Sequence, residues 1–198
     1  MTTAMPGRPG PDEYAPFYAG YIEKVPEGDP RAQLARATEE TRRLLDAFGD
    51  ERAGQPYAPG KWSVKDVATH LADTERVMAY RALRIARGDT TPLAGFDQDD
   101  YVRAAGANRR PLSDLLAELS AVRVGSFALF TGLDEEAFLR RGTANGNPVS
   151  VRALLYIILG HEEHHRALLR PLVGATAGGA VRATADGTVG QSAGGRHG

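Results

Sequence analysis

Residues 149–171 read Val149-Ser150-Val151-Arg152-Ala153-Leu154-Leu155-Tyr156-Ile157-Ile158-Leu159-Gly160-His161-Glu162-Glu163-His164-His165-Arg166-Ala167-Leu168-Leu169-Arg170-Pro171. Ser150 stands where an N-cap belongs, Val149 and Leu154 are spaced to staple across it, and Pro171 cannot continue a helix. The pattern therefore predicts a single helix from about Val151 to Leu169. Rotating by about 100° per residue from His161 puts Leu154 and Leu172 near 20°, His165 near 40°, Ile158 near 60°, and Val151 and Leu169 near 80°. Arg152, Glu163 and Arg170 fall on the opposite side at about 180–200°, with His164 at the margin near 300°. Two histidines one turn apart thus sit at the centre of an apolar stripe.

Three more segments carry helical spacing with punctuation at their ends. One runs from about Pro30 to Phe48, with Asp29 as cap, Pro30 at the first helical position, Gly49 after the end, and Leu34, Ala37, Thr41, Leu44, Leu45 and Phe48 on its inner stripe. A second runs from about Val64 to Arg87 and stops at Gly88; Ser63 caps it, Asp66 completes a capping box, and Trp62 can staple onto Val67. The third, from about Pro111 to Phe130, shows Leu112, Leu115, Leu119, Val122, Leu129 and Phe130. No stretch alternates with period two for long enough to demand a strand. Four amphipathic helices without a sheet must bury their stripes against one another, so the expected fold is all-α, a four-helix bundle. Residues 88–110 are long enough to cross the length of a helix, which lets the second and third helices run parallel.

The chain has 198 residues, which corresponds to one domain of roughly 150 residues plus appendages. The Pro- and Gly-rich residues 1–13 read as a flexible N-terminal segment, 14–173 as the bundle domain, and 174–198 as a low-complexity tail. His197 lies in that tail and is given no role. Zero cysteines exclude a disulfide framework, a thiolate metal site and a cysteine nucleophile. Lys+Arg 24 against Asp+Glu 25 leaves a net charge of -1, with no electrostatic footprint for nucleic acid or an anionic membrane. The longest apolar run, Leu154 to Leu159, falls far short of the ~20 residues a membrane span needs. The opening MTTAMPGRPGPDE has no apolar stretch to serve as a signal-peptide core, so a cytoplasmic location is expected.

His70 lies on the apolar stripe of its own helix, with Thr74 at about 40°, Val67 and Ile85 near 60°, Met78 near 80° and Val77 near 340°. A lone core histidine is most often just a hydrogen-bonded side chain. Three imidazoles aimed into one small core need partners for both nitrogens of each, and a helical core offers few. One divalent ion per chain, shared by His70, His161 and His165, satisfies all three; zinc or nickel lead, and iron and manganese also accept imidazole. Three neutral ligands leave the charge of the ion uncompensated and coordination positions open, the arrangement of a catalytic site.

His161-Glu162-Glu163-His164-His165 also matches H-E-x-x-H, the metalloprotease helix with Glu162 as general base. Against that reading, no Glu follows His165, no strand is expected before the helix, and Glu162 falls at about 100°, towards the edge of the stripe. Around the triad, Asp66 and Asp73 lie on turns adjacent to His70 and could hold its second nitrogen, although Asp66 already has a capping role. Arg81, at about 20° on the same stripe, could receive an anionic cosubstrate or make an ion pair within the bundle. Tyr57, Trp62 and Tyr101 are candidates for a pocket rim. No residue stands out as a separate general base, so the catalytic residues stay unassigned.

Four stretches together carry a family likeness: Tyr57-Ala-Pro-Gly-Lys-Trp-Ser-Val-Lys-Asp-Val-Ala-Thr-His70-Leu-Ala-Asp-Thr-Glu75, continuing to Arg84; the loop Gly95-Phe-Asp-Gln-Asp-Asp-Tyr101; the turn Gly142-Thr-Ala-Asn-Gly-Asn-Pro148; and Gly160-His161-Glu-Glu-His-His165. Over residues 14–173 the chain resembles the DinB/YfiT-like superfamily of metal-binding four-helix bundles. The resemblance implies an up-down-down-up bundle, a homodimer, and His70, His161 and His165 as a metal triad. Characterised members of that group are thiol S-transferases using low-molecular-weight bacterial thiols such as bacillithiol or mycothiol. Mycothiol-dependent isomerases belong to the wider group, some with a Glu ligand where His161 stands here, and other members are labelled metal-dependent hydrolases. The expectation is a metal-dependent transferase joining a small-molecule thiol to an electrophile. The alternatives are a hydrolase using water at the same site, and a non-catalytic, metal-braced bundle serving dimerisation or partner binding.

Overall fold

Side-chain caps set where three of the four long helices begin. The computed structural model describes residues 6–173. Its helices are α1 (Ala19–Ile22), α2 (Pro30–Asp46), α3 (Asp50–Ala53), α4 (Val64–Ala86), α5 (Gln98–Ala105), α6 (Leu112–Thr131), α7 (Glu135–Leu139) and α8 (Val151–Leu169). Asp29 accepts from Arg31 N–H at 2.8 Å at the head of α2, and Ser150 Oγ accepts from Ala153 N–H at 3.0 Å at the head of α8. On α4 the capping box closes both ways, Ser63 with Asp66, at 3.0 Å each. The third long helix starts on Pro111 without a side-chain cap. Asp50 replaces it, accepting from Leu112 N–H at 2.6 Å and from buried Lys65 at 2.9 Å, which ties the starts of α4 and α6 together.

Helices α2, α4, α6 and α8 form the bundle: α2 and α4 each pack against both α6 and α8. Two apolar clusters fill it. One joins Leu45 and Phe48 at the end of α2, Val64 to Ala72 at the start of α4, Leu112 to Leu119 at the start of α6, and Leu169 at the end of α8. The other joins Leu34 and Ala37, Met78 to Ala86, Phe130, and Val151 to Leu159. Hence α2 and α8 run one way while α4 and α6 run the other. The long crossover that permits the parallel pair carries α5 and a 3-10 turn at Ala107–Arg109. No helix among the described residues is long and apolar enough to cross a membrane.

Two features differ from the sequence reading. A hairpin of β1 (Arg141–Ala144) and β2 (Asn147–Ser150) pairs antiparallel, with Arg141 opposite Ser150 and Ala144 opposite Asn147. Its strands have 4 residues each, too short for alternation to register. The usable signal was the turn: Asn145 (φ 50°) and Gly146 (φ 72°) both take positive φ, as a two-residue hairpin turn requires. The second difference is that residues 6–13 are not a loose appendage. Arg8 donates to the carbonyls of Ile22 and Val25, and Glu13, 3% exposed, takes Arg152 of α8 in a two-pronged ion pair. The tail at 174–198 lies outside the described residues.

Burial alone would raise the pKa of Glu13, but hydrogen bonds from Arg152 and from Gly10 N–H outweigh it and hold the carboxyl at about 2, below its ordinary 4.5. A folded-state pKa below the unfolded value stabilises the fold at higher pH and loses that contribution as pH falls. Glu13→Gln is expected to cost about 1.5–3 kcal/mol at pH 7 by urea unfolding. The gap from wild type should close as pH drops from 4.5 towards about 2.

Candidate metal centre

The opposite directions of α4 and α8 bring His70 against His161 and His165. The Nε2 atom of His161 lies 2.8 Å from that of His70 and 3.1 Å from that of His165, and ligand atoms of all three lie within 4.8 Å of one another. The rings meet edge to face at 71–82°, and the residues are 4%, 6% and 9% exposed. Burial pushes the His70 pKa down to about 4, and it drives His161 and His165 well below their usual value, helped by the neighbouring imidazoles. At pH 7 all three rings are neutral, with lone pairs free to donate.

A hydrogen-bonded core histidine aims its nitrogens at carbonyls or hydroxyls; here three Nε2 atoms aim at one point. A tetrahedral zinc with N–Zn distances of about 2.0–2.1 Å separates its nitrogens by about 3.3 Å. The observed separations are a few tenths shorter, a gap that small side-chain rotations cover. The donor set fits a divalent ion. The second nitrogen of His70 faces Thr74 Oγ1 at 3.4 Å.

Several candidate neighbours fall elsewhere. Asp73 pairs with Arg76 at 3.0 Å and does not reach His70; Thr74, one residue on, takes that place. Asp66 is committed to the α4 cap. Arg81 is buried, but its guanidinium donates to Ala94 carbonyl at 2.7 Å and lies 5.9 Å from the Phe96 ring, so it pins the crossover loop. Eleven residues of helix put it about 16 Å from His70. Tyr101 packs against Phe96 with the rings tilted at 51°, and Tyr57 joins the core beneath. Trp62 does line the triad, 4.7 Å from the His70 ring and parallel to His165 at 6.3 Å.

The other wall escaped the sequence reading. Tyr21 of α1 sits 5.5 Å from the His161 ring and 5.3 Å from His164. Its approach depends on Gly160, where an added Cβ would lie 1.9 Å from the Tyr21 carbonyl oxygen. A lone glycine inside a helix directly before a candidate ligand was the available signal.

Beneath the triad lies a charged cluster within the core. Arg123 Nε and Nη2 bind Glu75 at 2.8–3.1 Å, Nη2 also binds Glu162 at 2.7 Å, and Nη1 donates to Leu34 carbonyl and Thr38 Oγ1. Thr41 donates to the other oxygen of Glu162 at 2.6 Å. Glu162 is therefore a core residue held on both oxygens, and H-E-x-x-H here lacks a free base. A strand, β2, does precede α8, contrary to expectation, but it ends at Ser150, about 16 Å along the helix from His161. A cavity of about 10 Å³, the size of a single water, lies between His161 and this cluster, lined also by Thr74, Glu75, Arg123 and Glu162. A larger cavity of about 360 Å³ lies beside Trp62, lined by Asp66, Val102, Arg103, Asn108 and Arg109 among others.

Wild-type protein is expected to take up about one zinc per chain. Elemental analysis should find it lost in a His70→Ala/His161→Ala/His165→Ala variant and retained in His164→Ala. Gly160→Ala should destabilise the fold by about 1–3 kcal/mol in thermal unfolding, outweighing its gain in helix propensity of about 1 kcal/mol.

A family model described as the DinB superfamily matches residues 33–169. A Geobacillus thermodenitrificans protein, provisionally named a metal-dependent hydrolase, is 26% identical over 145 residues, covering 71% of this chain and 80% of its own. An Oceanobacillus iheyensis protein with the same provisional name is 28% identical over 156 residues, covering 75% and 87%. Among solved structures, YfiT from Bacillus subtilis, described provisionally as a metal-dependent hydrolase with an unusual four-helix bundle topology, superposes with a TM-score of 0.65 at 21% identity. That match covers 81% of this chain and 91% of YfiT. The mycothiol-dependent maleylpyruvate isomerase follows at 0.62 and 16% identity, covering 79% and 64%. These likenesses carry the fold, and with its match across more than half of the chain the family model carries the assignment: the chain belongs to the DinB superfamily.

Proposed function

We propose that this protein is a metal-dependent enzyme that joins a low-molecular-weight thiol to an electrophile. The observation that carries this is the convergence of three buried, neutral imidazoles with no anionic ligand among them. Such a set leaves coordination positions for a ligand from outside. A bound divalent ion there supplies Lewis acidity, lowering the pKa of a thiol that reaches it. The chain has no cysteine, so the sulfur arrives as cosubstrate. His70, His161 and His165 hold and orient the site, Trp62 and Tyr21 exclude bulk water from it, and Thr74 fixes the tilt of the His70 ring.

The cavity beside Trp62 has the volume of a small-molecule site, and Arg103 and Arg109 in its lining suit an anionic group on the thiol or the electrophile. Hydrolysis, with water replacing the thiol, uses the same residues and is favoured by the provisional names of the curated relatives. The burial of all three histidines favours a different role, a structural brace. The expected homodimer has a surface to use: α6 exposes Ala117, Ala121, Val124, Gly125 and Ala128 along one stripe.

Zinc- or nickel-loaded protein offered bacterial thiols and monochlorobimane is expected to form the conjugate. In His161→Ala, folded by circular dichroism, the rate should fall to background, a loss of about 100-fold or more. Ester hydrolysis abolished by the same change, without conjugation, supports the hydrolase. Neither activity, with a melting temperature that falls when metal is stripped, supports the brace.

A further inference from the structure

Glu75, Glu162 and Arg123 are 3%, 2% and 4% exposed. Two carboxylates share one guanidinium, so the formal charge of the cluster is one negative inside the bundle. The nearest other cation on α8, Arg166, is committed to Glu40 and Glu163 at the surface, and Lys65 is committed to Asp50. Every other partner in the cluster is neutral: the Leu34 carbonyl and the hydroxyls of Thr38 and Thr41. A buried charge without a counter-charge is costly. The mirror-image deficit sits next door, because three neutral imidazoles do nothing to offset the two positive charges of a divalent ion. Between the two lies the water-sized cavity that His161 shares with Thr74, Glu75, Arg123 and Glu162, with Leu71 and Ile158 completing its lining.

We infer that Glu75 and Glu162 are the counter-charge for a dication held by His70, His161 and His165, acting through space and across the water-sized cavity without ligating it. They are positioning residues. The two carboxylates raise the affinity of an otherwise neutral ligand set while leaving its open positions free, which a carboxylate ligand would not do. The surplus charge is strain in the metal-free protein that metal binding relieves. This inference rests on the metal-centre reading proposed above.

The test is Zn²⁺ binding by full-length protein in competition with a chromophoric chelator, paired with melting temperatures with and without Zn²⁺. Glu162→Gln and Glu75→Gln keep the shape of each side chain and remove one negative charge, turning one acceptor oxygen into an amide donor. Each is expected to weaken Zn²⁺ binding by about 10-fold or more, while the metal-free variant melts at or above the metal-free wild type. The rise in melting temperature on adding Zn²⁺ should shrink accordingly. Thr41→Val, which disturbs the same cluster without changing its charge, should lower both melting temperatures together and leave the affinity in place. A purely structural cluster gives the opposite result, unchanged affinity with a metal-free protein that melts lower or fails to fold, and either finding for both glutamines overturns the inference. A wild type that takes up no Zn²⁺ removes the metal-centre reading itself, and that result is seen before any variant is made.

Discussion

All five N–H groups of Arg123 are used, and their partners come from every other helix of the bundle: Glu75 on α4, Glu162 on α8, and Leu34 and Thr38 on α2. Burial alone would lower the pKa of this guanidinium, and the two carboxylates more than reverse that, so it stays charged. Buried ion clusters of this kind add little net stability compared with well-packed apolar side chains. What they supply is register. Sliding any one helix by a turn would strand a charge in the core at a cost of several kcal/mol, whereas an apolar stripe tolerates such a slip far better.

The same cluster sits beside the histidines in the chain. Glu75 follows His70 by five residues, and Glu162 follows His161 directly. Because both carboxylates hold one guanidinium, the cluster ties α4 to α8 next to the triad. The i, i+4 spacing stacks His165 over His161. The charged cluster and the triad are two layers of one polar column through an otherwise apolar bundle, separated by a cavity of about 10 Å³.

The column is closed at the triad by aromatic rings. Trp62, anchored just before the α4 cap, covers His70 and His165, while Tyr21 covers His161 from a one-turn helix that sits on Gly160. The burial of the triad holds the pKa values of its imidazoles below their ordinary value. The cavity of about 360 Å³ lies beside Trp62, with that indole in its lining.

The linear sequence determined whatever depends on neighbours along the chain. The caps at Asp29, Ser63 and Ser150, the helical stripes and the inward aim of His70, His161 and His165 all follow from 3.6-residue periodicity and capping chemistry, and the long segment between Gly88 and Pro111 left room for a parallel pair. Only the tertiary structure decided what depends on partners far apart. Glu162 looked marginal at the edge of its stripe and is a core residue, because Arg123 and Thr41 arrive from other helices to satisfy it. Asp73 looked poised beside His70 and instead turns to Arg76, while Arg81 on the inner stripe is taken up by a loop carbonyl. Residues 6–13 read as loose from their Pro and Gly, yet Glu13 finds Arg152. A side chain's direction along its own helix is local information. Whether a charge finds its counter-charge is set by the packing of helices, and no periodicity encodes that.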